Sequence, residues 1–138
     1  MDDPKGTRSD NDFIGMAEIV LADLVSGGCK MVQKLTNPKH STKDCGSITI
    51  NAEEISSNKS SVIFGIYGQH LDKKDFFGKS DPFLRISKSR EDNTFVSVHQ
   101  TEVIKNTLDP RWNQFKLPMS TLNSGDLDRV ILFEVFDW

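Results

Sequence analysis

The most regular signal in the chain is a period of two. In SVIFGIY (residues 61–67), Val62, Phe64 and Ile66 fall on one side, and in RVILFEVF (129–136), Ile131, Phe133 and Val135 do the same, as a strand buried on one face requires. SITINAEEI (47–55), PFLRIS (82–87) and FVSVHQTEVI (95–104) are rich in β-branched and aromatic residues and are bounded by Gly, Pro, Asn, Asp and Ser. They read as further strands. FIGMAEIVL (13–21) and KMVQKL (30–35) are weaker examples of the same kind, and residues 113–117 supply an eighth. No segment sustains the i, i+3, i+4, i+7 apolar repeat through three turns; MSTLNSGDLD (119–128) has room for one short helical turn. The pattern predicts an all-β protein whose strand number and turn spacing suit a two-sheet antiparallel sandwich. Phe64, Ile66, Ile131, Phe133 and Val135 are assigned to its core, and Trp112 is expected to pack against a sheet.

A length of 138 residues fits one domain with a real core. The polar stretch TNPKHSTKDCG (36–46) is the most linker-like part and divides a short front section from a longer rear one. The formal net charge of −3 argues against non-specific nucleic-acid binding. No run of 18 apolar residues is present, and the opening MDDPKGTRSDND is the reverse of a basic-then-apolar signal peptide, so the expected location is the cytoplasm. Cys29 and Cys45 are far apart and lack metal-ligand spacing; they are expected to be free thiols.

Two motifs fail on inspection. Gly78-Lys79-Ser80 matches the end of a phosphate-binding loop, but the earlier glycine that the loop needs is Lys73. A helix-loop-helix calcium loop starting at Asp72 would need glycine at its sixth position and glutamate at its twelfth, where the chain has Phe77 and Phe83. His40, His70 and His99 stand alone, without the partners that nucleophilic or metal-hydrolase motifs require, so no enzyme is expected. The acidic residues do group: Asp72, Asp75 and Asp81 in LDKKDFFGKSDPF (71–83), Asp137 after the last strand, and Asp2, Asp3, Asp10 and Asp12 at the start. Calcium takes six to eight oxygen ligands, and loops at one end of a sandwich can deliver them from distant parts of a chain. Asp also favours turns for reasons unrelated to metal, and both readings stay open at this level. The same loop contains Phe76 and Phe77, two large apolar rings among turn residues.

These segments resemble a known family. LDKKDFFGKSDPFLRI looks like the first calcium loop and following strand of a C2 domain, with Asp75 and Asp81 in the family's Asp-x5-Asp-Pro-aromatic spacing. TEVIKNTLDPRWNQF (101–115) is similar to that family's Thr-x-Val-x-Lys-x-Thr-Leu-x-Pro-x-Trp-Asn segment. FEVFDW (133–138) resembles the strand before its third loop, and SDNDFIG (9–15) the end of that loop. The closer likeness is to copines, through GSITINAEEI (46–55) and the loop at 71–83. In copine order, residues 1–35 resemble the rear of a first C2 repeat, 36–45 a linker, and 46–138 the front of a second.

The resemblance implies an eight-stranded Greek-key sandwich. Either it closes in circularly permuted order, with both chain ends at the calcium tip, or the second repeat is simply truncated and the first 35 residues dangle or pair imperfectly. It implies calcium as the cofactor, with Asp75 and Asp81 as first-loop ligands, Asp137 and Asp2 as third-loop ligands, and Asp12 as the last of that loop. It further implies calcium-dependent binding to anionic phospholipid and reversible recruitment to the plasma membrane. Phe76 and Phe77 would insert, and Lys73, Lys74 and Lys79 would meet acidic headgroups. The competing function is a calcium-independent protein-interaction module, and target proteins are partners under either reading. Arg85, Lys88, Arg90 and Lys105 form a basic set that is either a binding face or a solvated surface.

Overall fold

A computed structural model of the chain describes residues 13–55, 61–72, 78–123 and 128–138. Its strands are β1 (Phe13–Val20), β2 (Lys30–Lys34), β3 (Ser47–Ile55), β4 (Ser61–Gln69), β5 (Pro82–Ser89), β6 (Phe95–Gln100), β7 (Phe115–Pro118) and β8 (Val130–Asp137). Two short helices, α1 (Leu21–Ser26) and α2 (Met119–Asn123), sit between strands. One sheet has the order β1-β8-β5-β6 and the other β2-β3-β4-β7. The neighbours in both sheets run antiparallel. This is the expected all-β sandwich. The early strands β1 and β2 are separated by α1 and enter different sheets, beside β8 and β3 respectively.

Alternation explains the layering. Val62, Phe64 and Ile66 of β4 face Ile131, Phe133 and Val135 of β8 across the core, and Ile48, Ile50, Leu84 and Ile86 complete the same apolar cluster. Phe64 stacks on Phe115 of β7 with ring centres 5.5 Å apart and meets Phe133 edge-on at 6.4 Å, tying the two sheets together. Trp112 is buried, and its indole N–H donates to the Pro82 carbonyl at 3.3 Å, as a buried indole needs. Burial of this kind contributes about 25 cal/mol per Å² of apolar surface removed from water, which makes the inner face the main source of stability.

Two expected strands end early for physical reasons. FIGMAEIVL does not run on as a strand; Val20 is still extended, and the chain then turns helical so that Leu21 and Leu24, one turn apart, both enter the core. FVSVHQTEVI stops pairing regularly at Gln100. There the Thr101 hydroxyl accepts the Leu84 amide at 2.9 Å while the Thr101 amide donates to the Leu84 carbonyl at 2.8 Å. A side chain thus substitutes for the next rung of the ladder. The segment 36–46 is tied to the sandwich at its two ends, while residues 38–44 are exposed: Thr36 exchanges two backbone hydrogen bonds of 2.9 Å with Met16, the Leu35 amide donates to the Gly46 carbonyl, and Cys45 is fully buried. Cys29 and Cys45 are both free thiols.

Candidate functional site

The site is built where β5 begins and β8 ends. Antiparallel pairing sets Pro82 opposite Asp137, so the Asp81 amide reaches a residue 56 positions further along the chain and donates to Asp137 Oδ1 at 2.8 Å. The Trp138 amide returns a bond to the Asp81 carbonyl at 2.9 Å. Asp137 is 3% exposed, and a carboxylate that deep must be satisfied by donors or by a cation. Asp81, half-buried, accepts the Asn106 amide on Oδ1 at 2.7 Å.

Asn106 is the residue that organises the loop and the one that motif inspection did not single out. Its side-chain oxygen accepts the Lys79 amide at 3.0 Å while its own amide holds Asp81. It does both from a left-handed backbone, φ 57°, a conformation Asn tolerates better than most residues. Gly78 faces it with φ 89°, and a Cβ there would lie 3.5 Å from the Asn106 side-chain oxygen. Ser80 is fully buried beneath, its hydroxyl donating to the Asp72 carbonyl at 3.3 Å. The Asp72 carboxylate pairs with Lys43 at 3.1 Å, which anchors the segment 36–46 to the base of the loop. The only sequence signals for these roles were the Asn of KNT and the Ser of SDP, both ordinary turn residues.

Of the expected metal ligands, Asp81 and Asp137 are therefore brought together. Asp75, Asp2 and Asp12 lie outside the described residues, as do Lys73, Lys74, Phe76 and Phe77 of the expected membrane set. Lys79 is described and exposed on the loop. Among the described residues no group of three His, Cys, Asp or Glu side chains could hold a metal ion. Asp81 and Asp137 do fit calcium in kind: they are hard oxygen donors, brought to one end of a sheet by the start of β5 and the end of β8.

A model of the C2 domain family matches residues 59–138, more than half of the chain. The chain belongs to the C2 domain family. Nicotinic receptor-associated protein 1 of Caenorhabditis elegans is 39% identical over 137 residues, covering 94% of this chain and 22% of the relative, and its Caenorhabditis briggsae counterpart matches equally. Copine-A of Dictyostelium discoideum is 39% identical over 135 residues, covering 95% of this chain and 22% of Copine-A. The resemblance to copines read from LDKKDFFGKSDPF and GSITINAEEI is thus matched by a copine among the relatives. The chain spans less than a quarter of the length of these relatives. Membership of the C2 domain family points to a membrane or interaction module in general, to binding rather than catalysis.

The basic residues do not form one face. Arg85 pairs with Glu134 at 3.5 Å, with its guanidinium 4.6 Å from the centre of the Phe136 ring. Lys105 lies beside Ile104, whose amide reaches the Pro82 carbonyl, at the acidic end. Lys88 and Arg90 lie at the far end of β5.

Proposed function

We propose that this C2 domain binds anionic phospholipid membranes in a calcium-dependent manner and is recruited reversibly from the cytoplasm to the plasma membrane. The observation that carries the reading is the meeting of Asp81 and Asp137 at one end of the sandwich, linked by a 2.8 Å bond across 56 residues. Asp75 completes the first-loop ligands, and Asp2 and Asp12 complete those of the third loop. Clustered carboxylates repel both one another and acidic headgroups, so the apo tip disfavours the membrane. Calcium, when bound, supplies the positive charge that reverses this field and can share oxygens of a lipid phosphate. Phe76 and Phe77 then contribute up to roughly 1.5–3 kcal/mol each on leaving water, and Lys73, Lys74 and Lys79 about 1 kcal/mol each near an anionic surface.

Co-sedimentation with phosphatidylserine vesicles tests the reading. The chain is expected to pellet in calcium and to remain in the supernatant in EDTA, and the Asp75→Asn, Asp81→Asn double variant is expected to lose at least about tenfold in lipid affinity. Pelleting that ignores calcium, or a double variant that behaves as the parent, would count against it. A second reading, a calcium-independent protein partner, draws support from the relatives whose name describes a receptor-associated protein. Capture of a target protein that persists in EDTA and in the double variant favours that reading.

A further inference from the structure

The outer face of the sheet β2-β3-β4-β7 combines a shallow hollow with an excess of positive charge. Val62, Phe64 and Ile66 of β4 and Ile48 and Ile50 of β3 enter the core, so the residues between them point the other way, and pairing aligns these in rows across the sheet. In one row Val32 pairs with Thr49, Thr49 with Tyr67, and Tyr67 bridges to Arg111. Val32 is 60% exposed and Thr49 only 1%, and the Arg111 guanidinium lies over the Tyr67 ring, 4.5 Å from its centre. This row is a ridge. A second ridge runs through Glu53, Ile63 and Lys116. Between the two, Lys30 pairs with Asn51 and Asn51 with Gly65. Gly65 leaves a gap between Tyr67 and Ile63, its neighbours on the same side of β4, and a Cβ there would meet nothing closer than the Gln114 side chain at 3.6 Å.

From this hollow and its charge we infer that the face docks an acidic, extended segment of a partner protein, with an apolar side chain over Gly65 and carboxylates on the surrounding cations. Lys30, Lys34, Arg111 and Lys116 are exposed around the hollow, opposed by Glu53 and by Asp44, which lies 3.6 Å from Lys34. The excess of positive charge stands on a chain whose formal net charge is −3, so the local field selects an acidic partner. An extended segment presents alternate side chains to one side, which lets an apolar residue fill the hollow between flanking carboxylates. A flat bilayer would leave Asn51 and Gly65 uncovered. The inference rests on the second reading above and gives its calcium-independent partner a surface and a chemistry.

Fluorescence anisotropy of a labelled short peptide that alternates glutamate and leucine, titrated with the full chain in EDTA and at low salt, tests the face without help from calcium. Saturable binding that weakens as salt rises is expected, and a peptide that alternates lysine and leucine is expected not to bind. Lys30→Gln with Lys116→Gln is expected to weaken binding at least about tenfold. Glu53→Gln is expected to tighten it severalfold, an effect that a misfolded variant cannot produce. Gly65→Ala, which fills the hollow without changing charge, is expected to weaken the leucine peptide and to leave a peptide that alternates glutamate and serine unchanged. The absence of saturable binding, equal binding of the lysine peptide, or unchanged affinity in the Lys30, Lys116 double variant overturns the inference. No pelleting with phosphatidylserine vesicles in EDTA is expected; pelleting that the double variant loses overturns it in favour of a membrane face. A dimer in sedimentation equilibrium that the double variant abolishes overturns it in favour of a second copy of the chain. A target protein captured in EDTA and retained by the double variant overturns this placement and leaves the second reading standing.

Discussion

His99 shows how a single side chain can be settled by its neighbours. It stands on the edge strand β6 with its ring stacked on Phe115 of β7, centres 3.9 Å apart and planes 17° apart. Burial pushes its pKa below the ordinary histidine value, with the Glu102 carboxylate opposing from nearby. The folded state therefore holds the proton less readily than the unfolded chain, whose histidine titrates near about 6.5. The stability this contributes is present above that value and is lost as pH falls through the lower folded pKa. The thermal midpoint is expected to drop between about pH 7 and pH 5, and the drop to be shallower in His99→Gln. A His99→Gln profile that superimposes on the parent's removes His99 as the cause. At this scale the sequence was a partial guide. Asp81 and Asp137 could be chosen because Asp in the SDP and FDW contexts carries a recognisable pattern. Asn106 could not, because its role rests on a backbone conformation and on two partners, one of them 27 residues away. A linear pattern holds no trace of either.

Among the elements, the strands whose two faces differ were legible and those whose ends depend on a partner were not. β4 alternates cleanly because one face of it is buried, and the alternation alone defines it; β8 buries Leu132 and Phe136 as well as Ile131, Phe133 and Val135, and a short apolar run rather than alternation marks it. The end of β6 is decided by the Thr101 hydroxyl and the start of α1 by where Leu21 and Leu24 can reach, both questions about space. The junction between residues 36–46 and β3 depends on backbone in the same way. Gly46 has φ 91°, and a Cβ there would lie 2.5 Å from the His70 carbonyl oxygen and 2.6 Å from that of Gln69. Gly28 has a similar φ of 83°, but nothing lies within 4 Å of the corresponding point. Gly28→Ala is expected to cost about 1 kcal/mol, from the left-handed backbone alone. Gly46→Ala must also displace two carbonyls and is expected to cost about 2 kcal/mol or more. Urea denaturation of the two variants measures the difference; equal losses would mean that the contact at Gly46 relaxes freely.

For the molecule as a whole, the question is how the first strands are held. The proposal that the chain closes as one sandwich in permuted order rests on β1 pairing with β8 from Phe13↔Phe136 to Val20↔Val130 and on β2 pairing with β3 from Lys30↔Asn51 to Lys34↔Ser47. Ile14, Ala17 and Ile19 of β1 then join the central core. Hydrogen-bonded amides of β1 are expected to be protected from exchange by at least about a hundredfold, equivalent to roughly 3 kcal/mol of opening free energy. Free exchange throughout residues 13–35 would mean that the front of the chain is unattached.

The clasp between Met16 and Thr36 bears on solubility as well as on shape. A strand at the rim of a sheet offers unpaired amides and carbonyls as a template on which a foreign strand can grow. On β1 the rim positions of Met16 are already engaged by Thr36 through both backbone bonds, and at the rim of the other sheet β2 exposes Lys30 and Lys34, whose charges repel a second copy laid alongside. A chain rich in β-branched and aromatic strands is in this way discouraged from stacking on itself into fibres at two of its four open rims.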